Sequence, residues 1–121
     1  YINVYSPYEL VSFREKSHDK KHAEVEAIIK HNGVETTISG IGKGLLDAFV
    51  TAFSRETGIN FSINMYNEHA MKSGTDSHAI TYIEITKNNE EHVYLGAGVS
   101  SSVTKSSIRA IVSAVNRMIT E

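Results

Sequence analysis

Apolar and polar positions alternate along Ala23-Glu24-Val25-Glu26-Ala27-Ile28-Ile29, the period of a strand with one buried face. His31-Asn32-Gly33 then reads as a hairpin turn, because Asn-Gly readily takes the positive φ of a type I′ turn. Val34, Thr36 and Ile38 continue the alternation on the return strand, and a less regular strand is expected upstream, across Glu9 to Glu15. After Gly40-Ile41-Gly42-Lys43-Gly44 the period changes. Leu45, Leu46, Phe49, Ala52 and Phe53 follow helical spacing, and Gly58 closes the element. The second half repeats the order. Ile59, Phe61, Ile63 and Met65 alternate, then Ala79, Thr81, Ile83 and Ile85, then Val93, Leu95, Ala97 and Val99. A turn is expected at Lys87-Asn88-Asn89-Glu90, and the sequence Tyr66-Asn67-Glu68-His69-Ala70 breaks the alternation and reads as a polar connector leading into a loop at Ser73-Gly74-Thr75-Asp76. A final helix sets Ile108, Ile111, Val112, Val115 and Ile119 on one stripe, with serine or threonine at hand as a cap.

The halves also match in local sequence. Ala48-Phe49-Val50-Thr51-Ala52-Phe53 aligns in chemical type with Ala110-Ile111-Val112-Ser113-Ala114-Val115, and Gly40-x-Gly42 upstream corresponds to Gly96-x-Gly98. Two short amphipathic helices resemble each other easily by chance, but a glycine pair ahead of each helix is harder to obtain that way. The expectation is an α+β fold, a single domain over residues 1–121 built from two βββα units at about 8–58 and 59–121, antiparallel sheets packed with helices. A period of about 60 residues exceeds solenoid repeats, so two units packed face to face are expected rather than an array.

Composition narrows the function classes. The 121 residues are 40% hydrophobic and 21% charged, which suits one soluble domain. Cysteine is absent, so disulfides and thiolate metal sites are excluded, in keeping with a reducing, cytoplasmic setting. No apolar run approaches a membrane span and no signal-peptide pattern opens the chain. The chain begins at Tyr1 rather than Met, as a piece cut from a longer protein would. A net charge of −2 argues against a nucleic-acid partner, and Lys20-Lys21-His22 reads as a solvated turn.

Little here carries chemistry of its own. The Gly40–Gly44 run lies between strand and helix, where it serves equally as a tight turn or as an anion seat of free N–H groups. Leu45 stands where a dinucleotide fingerprint needs glycine, and no Gly-Lys-Ser/Thr makes a phosphate loop. Six histidines fall at no metal-ligand spacing. Ser100 to Ser102, Ser106 and Ser107 flank a helix start, where capping explains them, and no Gly-x-Ser-x-Gly elbow occurs. Glu24 and Glu26 read as a solvated strand face, and Glu68 with His69 as a local structural pair that could bond each other. Catalysis has no candidate residue, and no metal or cofactor is expected in this chain.

Read in order, the segments resemble the C-terminal regulatory domain of the 2-isopropylmalate synthases of the longer bacterial and fungal type. The resemblance rests on Gly40-x-Gly42-x-Gly44-x-x-x-Ala48-Phe49-Val50, Tyr66-x-Glu68-His69-Ala70-x-x-x-Gly74 and Tyr82-Ile83-Glu84, and continues through Gly96-x-Gly98-Val99 and Ser107-x-Arg109-Ala110-x-x-Ser113-Ala114-x-Asn116-Arg117. It implies two βββα units related by a pseudo-two-fold and paired with a second copy in a homodimer. It implies an allosteric site for leucine between the units, feeding back on leucine biosynthesis. It also implies an attached TIM-barrel catalytic domain, absent here, that uses a divalent metal to join acetyl-CoA to 2-oxoisovalerate.

The implied leucine site takes Gly42 and Gly44 for backbone N–H contacts to the ligand carboxylate, with Lys43 beside them. Leu46, Ile63 and Tyr66 form the apolar slot, Ala70, Ser77 and Val99 line it, and Asp47 receives the ammonium. Relatives of this type read Gly-x-Gly-Asn-Gly-Pro where this chain has Lys43-Gly44-Leu45, which removes the proline of the first helical turn. The citramalate synthases, a sister group, use a similar domain for isoleucine, and a ligand-free dimerisation module is the alternative from another class.

Overall fold

The computed structural model describes residues 7–17, 20–73, 76–87 and 90–120, without the side chains of residues 17, 71–73, 76 and 77. The elements run β1 (Tyr8–Ser17), β2 (Ala23–His31), β3 (Val34–Gly42), α1 (Leu45–Thr57), β4 (Phe61–Ser73), β5 (Asp76–Lys87), β6 (Val93–Ser100) and α2 (Val103–Thr120). They form two antiparallel three-stranded sheets, ordered β1-β2-β3 and β4-β5-β6, each followed by a helix, so the α+β fold of two βββα units is the one present. The chain divides into two compact units, Tyr1–Glu56 and Thr57–Glu121, called unit 1 and unit 2 below. No helix among the described residues is long and apolar enough to cross a membrane.

In unit 1 the Asn-Gly turn sets the register. Asn32 (φ 53°) and Gly33 (φ 82°) both take positive φ, the type I′ signature, and β2 and β3 pair from His31↔Val34 to Ala23↔Gly42. Val25, Ala27 and Ile29 point to the buried side, as the alternation required, and meet Ile38 and the helix residues Phe49 and Phe53 in a buried apolar set. Tyr8 closes the end of that set, stacked on His31 (ring centroids 4.3 Å) and edge-on to Phe53 (5.0 Å). Gly58, at φ 75°, ends α1 in the left-handed conformation that stops a helix.

The paired glycines bring each helix down onto its sheet. A Cβ on Gly40 would lie 2.6 Å from the Ala48 carbonyl oxygen, and one on Gly96 2.4 Å from that of Ala110. Backbone therefore packs on backbone in both units, against Ala48/Ala52 in α1 and Ala110/Ala114 in α2. These contacts fix a residue-by-residue correspondence between the units, in which Gly40 matches Gly96, Gly42 matches Gly98 and Ala48 matches Ala110.

The sheet of unit 2 departs from the sequence expectations in three places, all explained by the pleat, and in α2 the stripe residue Ile119 is exposed while Met118 is buried. The apolar row of β6 is not its buried row: Gly96 and Gly98 face α2, so Val93, Leu95, Ala97 and Val99 all point outward and are exposed. Met65 also leaves the core side. The ladder shifts between Ile63 and Met65, so Asn64 is an extra residue, a bulge that reverses which side chains face inward. Ile63 lies opposite core Ile85, whereas Met65 lies opposite Glu84 and Tyr66 opposite buried Ile83. Finally, Tyr66 to Ala70 is no connector; β4 runs unbroken to Ser73, paired with Asp76. The expected loop residues Gly74 and Thr75 lie outside the described residues, as do Asn88 and Asn89, across which the Glu90 N–H donates to the Lys87 carbonyl at 3.0 Å.

Candidate functional site

The expected ligand residues fall into two groups. Gly42, Lys43, Gly44, Leu46 and Asp47 belong to unit 1, and Ile63, Tyr66, Ala70, Ser77 and Val99 to unit 2.

The unit 1 group is the corner where β3 becomes α1. The Gly44 carbonyl accepts the Ala48 N–H at 2.9 Å, which makes Gly44 the N-cap. Asp47, in the first helical turn, turns its carboxylate back so that Oδ2 accepts the Lys43 N–H at 3.0 Å. This carboxylate occupies the place a helix start offers to an anion. One N–H of the corner is thus already satisfied by the chain itself, and a ligand must use its neighbours or the second oxygen of Asp47. Gly42 is buried, and a Cβ there would sit 2.6 Å from both Asp47 Oδ2 and the Ala48 nitrogen. Lys43 is exposed and Leu46 half-buried.

The unit 2 group centres on Tyr66. The bulge at Asn64 turns Tyr66, Glu68 and Ala70 to the side of the sheet that carries α2, opposite Ile83, Thr81 and Ala79, and half-buried Ile63 precedes them on that side. Tyr66 remains 40% exposed. Its hydroxyl donates to Glu68 Oε2 at 2.5 Å and lies 3.0 Å from Ser107 Oγ. With the phenol proton on Glu68, Ser107 is the donor in the second contact, in competition with its 3.0 Å bond to the Val103 carbonyl. Beneath them Thr81 Oγ1 and Ser106 Oγ, both fully buried, lie 2.8 Å apart, and Ser106 donates to Val103 at 2.7 Å. A chain of hydroxyls thus ties the exposed phenol to the first turn of α2. Burial raises the Tyr66 pKa above its usual value of 10.0; the bond and charge of Glu68 push the same way, and the Ser107 bond opposes them.

Glu68 and His69 do not form a pair. Neighbours on a strand point to opposite faces, so Glu68 joins Tyr66 while His69 meets the Tyr82 ring edge-on on the far side (centroids 6.1 Å). Val99 also lies on that far side, opposite Ile80, and its side chain shares no face with Tyr66. Ser77 lies on β5 opposite Lys72, but its side chain is outside the described residues. Sequence reading missed the hydroxyl chain of Thr81, Ser106 and Ser107. Its signal was a threonine in the apolar row Ala79-Thr81-Ile83-Ile85 and serines too deep in the helix to be caps.

The unit 1 counterparts show how specific this is. Thr81, Ser106, Ser107 and Tyr66 correspond to Ala23, Gly44, Leu45 and Glu15, none of which bears a hydroxyl. Asp47 corresponds to Arg109, whose guanidinium donates to the Val99 carbonyl at 2.8 Å. Each unit therefore ties down the residue after its second glycine, one with an acid and the other with a base. Among the described residues, no three His, Asp or Glu side chains come together as a metal site.

Comparison with known proteins gives one family. Residues 2–119 match the LeuA allosteric (dimerisation) domain. The chain is 35% identical over 122 residues to the 2-isopropylmalate synthase of Clostridium acetobutylicum, covering 97% of this chain and 22% of that protein. It is 38% identical over 119 residues to the 2-isopropylmalate synthase of Mycobacterium leprae, covering 97% of this chain and 19% of that one. With that of Acetoanaerobium sticklandii it shares 37% identity over 121 residues, 98% of this chain and 21% of the relative. The chain spans about a fifth of the length of the curated relatives it matches.

Proposed function

The chain belongs to the LeuA allosteric (dimerisation) domain family, and on that footing we propose that it is the leucine-binding regulatory module of a 2-isopropylmalate synthase. In this reading it works as a homodimer. Leucine made by the pathway binds it and inhibits an attached acyltransferase domain that joins acetyl-CoA to 2-oxoisovalerate with a divalent metal in the cytoplasm. The observation that carries the proposal is the Tyr66 row: a phenol pinned between Glu68 and Ser107, open to solvent, with Ile63 and Ala70 on the same side of the strand. Such a row offers an apolar wall for a branched side chain, with a carboxylate next to it for an ammonium group. In unit 1 the corner at Gly42, Lys43 and Gly44 supplies N–H groups and a cation suited to a carboxylate, and the second oxygen of Asp47 is a further ammonium acceptor.

Calorimetric titration of this chain with leucine and isoleucine tests the reading. Leucine is expected to bind with a dissociation constant on the order of 10 µM, an efficiency of about 0.8 kcal/mol per non-hydrogen atom. Isoleucine is expected to bind roughly tenfold more weakly or worse, since a displaced methyl changes affinity by about 1–3 kcal/mol. Tighter binding of isoleucine would move the chain to the citramalate group. No heat from either amino acid, with the chain folded, would sink the sensor and leave a dimerisation module. Inhibition further requires that leucine bind the inhibited state of the parent more tightly than the active one.

A further inference from the structure

The correspondence between the two units allows an internal comparison that neither unit permits alone. The outer face of the first sheet is mostly polar, although Ile41, 42% exposed, and half-buried Ile28 lie on it. Arg14 and Glu26 form an ion pair across it at 2.8 Å, and Lys16, Glu24 and Ser39 share the face. The equivalent positions of the second sheet hold Met65 for Arg14, Tyr82 for Glu24, Leu95 for Ser39 and Val99 for Lys43. Met65, Tyr82, Leu95 and Val99 are 43, 48, 55 and 47% exposed. Because the twin backbone in unit 1 is built with charged and polar residues at the same places, the fold itself does not demand this apolar set. An exposed apolar cluster that folding does not need, here interrupted by Glu84, Asn67 and His69, marks an interaction surface.

We propose that the outer face of the second sheet is where two copies of this chain meet. The assignment rests on the family reading above, which supplies pairing as a property of the domain, and adds the face that carries it. The layout of the face suits a second copy. Tyr82 pairs with Ala97, and Leu95 and Val99 lie two residues to either side of Ala97. A two-fold axis crossing the strands at this row lays Leu95 on the partner's Val99 and Met65 on the partner's His69, and it sends the two Glu84 carboxylates to opposite ends. An axis along β5 would instead set Glu84 against its own copy, which like charges disfavour. Of these two placements, the charge of Glu84 favours the first.

The chain has no cysteine, so a single introduced thiol reports alone. Stacked sheets lie about 10 Å apart, beyond direct disulfide reach, so the reagent is a short bis-maleimide. Tyr82→Cys is expected to give a covalent dimer, and Glu24→Cys, its counterpart on the first sheet, none under the same conditions. The Leu95→Asp/Val99→Asp double variant is expected to weaken dimerisation roughly a hundredfold in sedimentation, as loss of central apolar contacts does, with unchanged circular dichroism. If that variant fails to fold, the cross-linking decides by itself. Cross-linking at Glu24→Cys instead of Tyr82→Cys overturns the assignment, as do a wild-type chain that sediments as a monomer and a folded double variant that dimerises normally. Leucine titration separates the two proposals. Cross-linking at position 82 without leucine heat keeps the face and removes the sensor, whereas leucine heat from a monomer does the reverse.

Discussion

Replacing Gly96 by alanine puts a methyl carbon 2.4 Å from the Ala110 carbonyl oxygen and 2.7 Å from the Ala114 Cβ, so α2 has to lift off the sheet. The expected cost is about 1–3 kcal/mol, the usual range for overpacking, read as a lower thermal midpoint. Gly44→Ala, where nothing lies within 4 Å of the new carbon, should cost less, about 0.5–1 kcal/mol, because alanine is a poorer N-cap than glycine. Tyr66 gives a second residue-scale test. Its folded pKa is raised above 10.0, so the folded state holds the phenol proton more tightly than the unfolded chain does. The resulting stability is complete below about pH 10 and is lost as pH rises through the folded value. Melting midpoints taken upward from about pH 10 should fall less steeply for Tyr66→Phe than for the wild type; equal slopes would remove Tyr66 as the cause. Tyr8, also raised by burial, leaves a residual slope in both proteins. At this scale the sequence pointed to Tyr66 and to the glycine pairs. It did not show that Asp47 folds back on Lys43, because an acid in a first helical turn reads the same whether it binds a ligand or its own backbone.

The β2–β3 hairpin was legible because its turn chemistry and its alternation agree, and its prediction follows directly. Asn32→Ala forces a residue with a plain Cβ to φ 53° and should cost about 1–2 kcal/mol in denaturant titration, with the register kept by Gly33. β4 was half legible. Its alternation fails at Asn64, and a period-two reading has no means of telling a bulge from the end of a strand, so Tyr66–Ala70 passed for a connector. β6 misled for a different reason. Apolar residues mark a buried row only when the other row is polar, and here the other row is glycine, buried because it has no side chain to keep α2 away. Thr81→Val tests the hydroxyl chain within the element. It removes one partner of buried Ser106 and should cost about 1–3 kcal/mol. A cost near zero would mean that the Val103 carbonyl satisfies Ser106 alone.

For the whole chain, the doubled βββα plan was visible in matched helices and glycine pairs, because both follow from packing. What distinguishes the two units was not visible, since outward residues are unconstrained by the fold. Leucine at about a hundredfold excess over its dissociation constant should stabilise the chain by about 2.7 kcal/mol, seen as a raised melting midpoint, with isoleucine giving less. The ion-paired outer face of the first sheet has a consequence for assembly. A chain with two separate self-pairing sheets would offer each neighbour a further docking place, and association would run on into open fibres instead of closing. In the assembly proposed above, the Arg14–Glu26 pair and its charged neighbours would act as a terminator and stop growth at two. Giving that sheet the residues of its twin, with Arg14→Met, Glu24→Tyr and Ser39→Leu, should turn a closed pair into a polymer whose length follows concentration in light scattering.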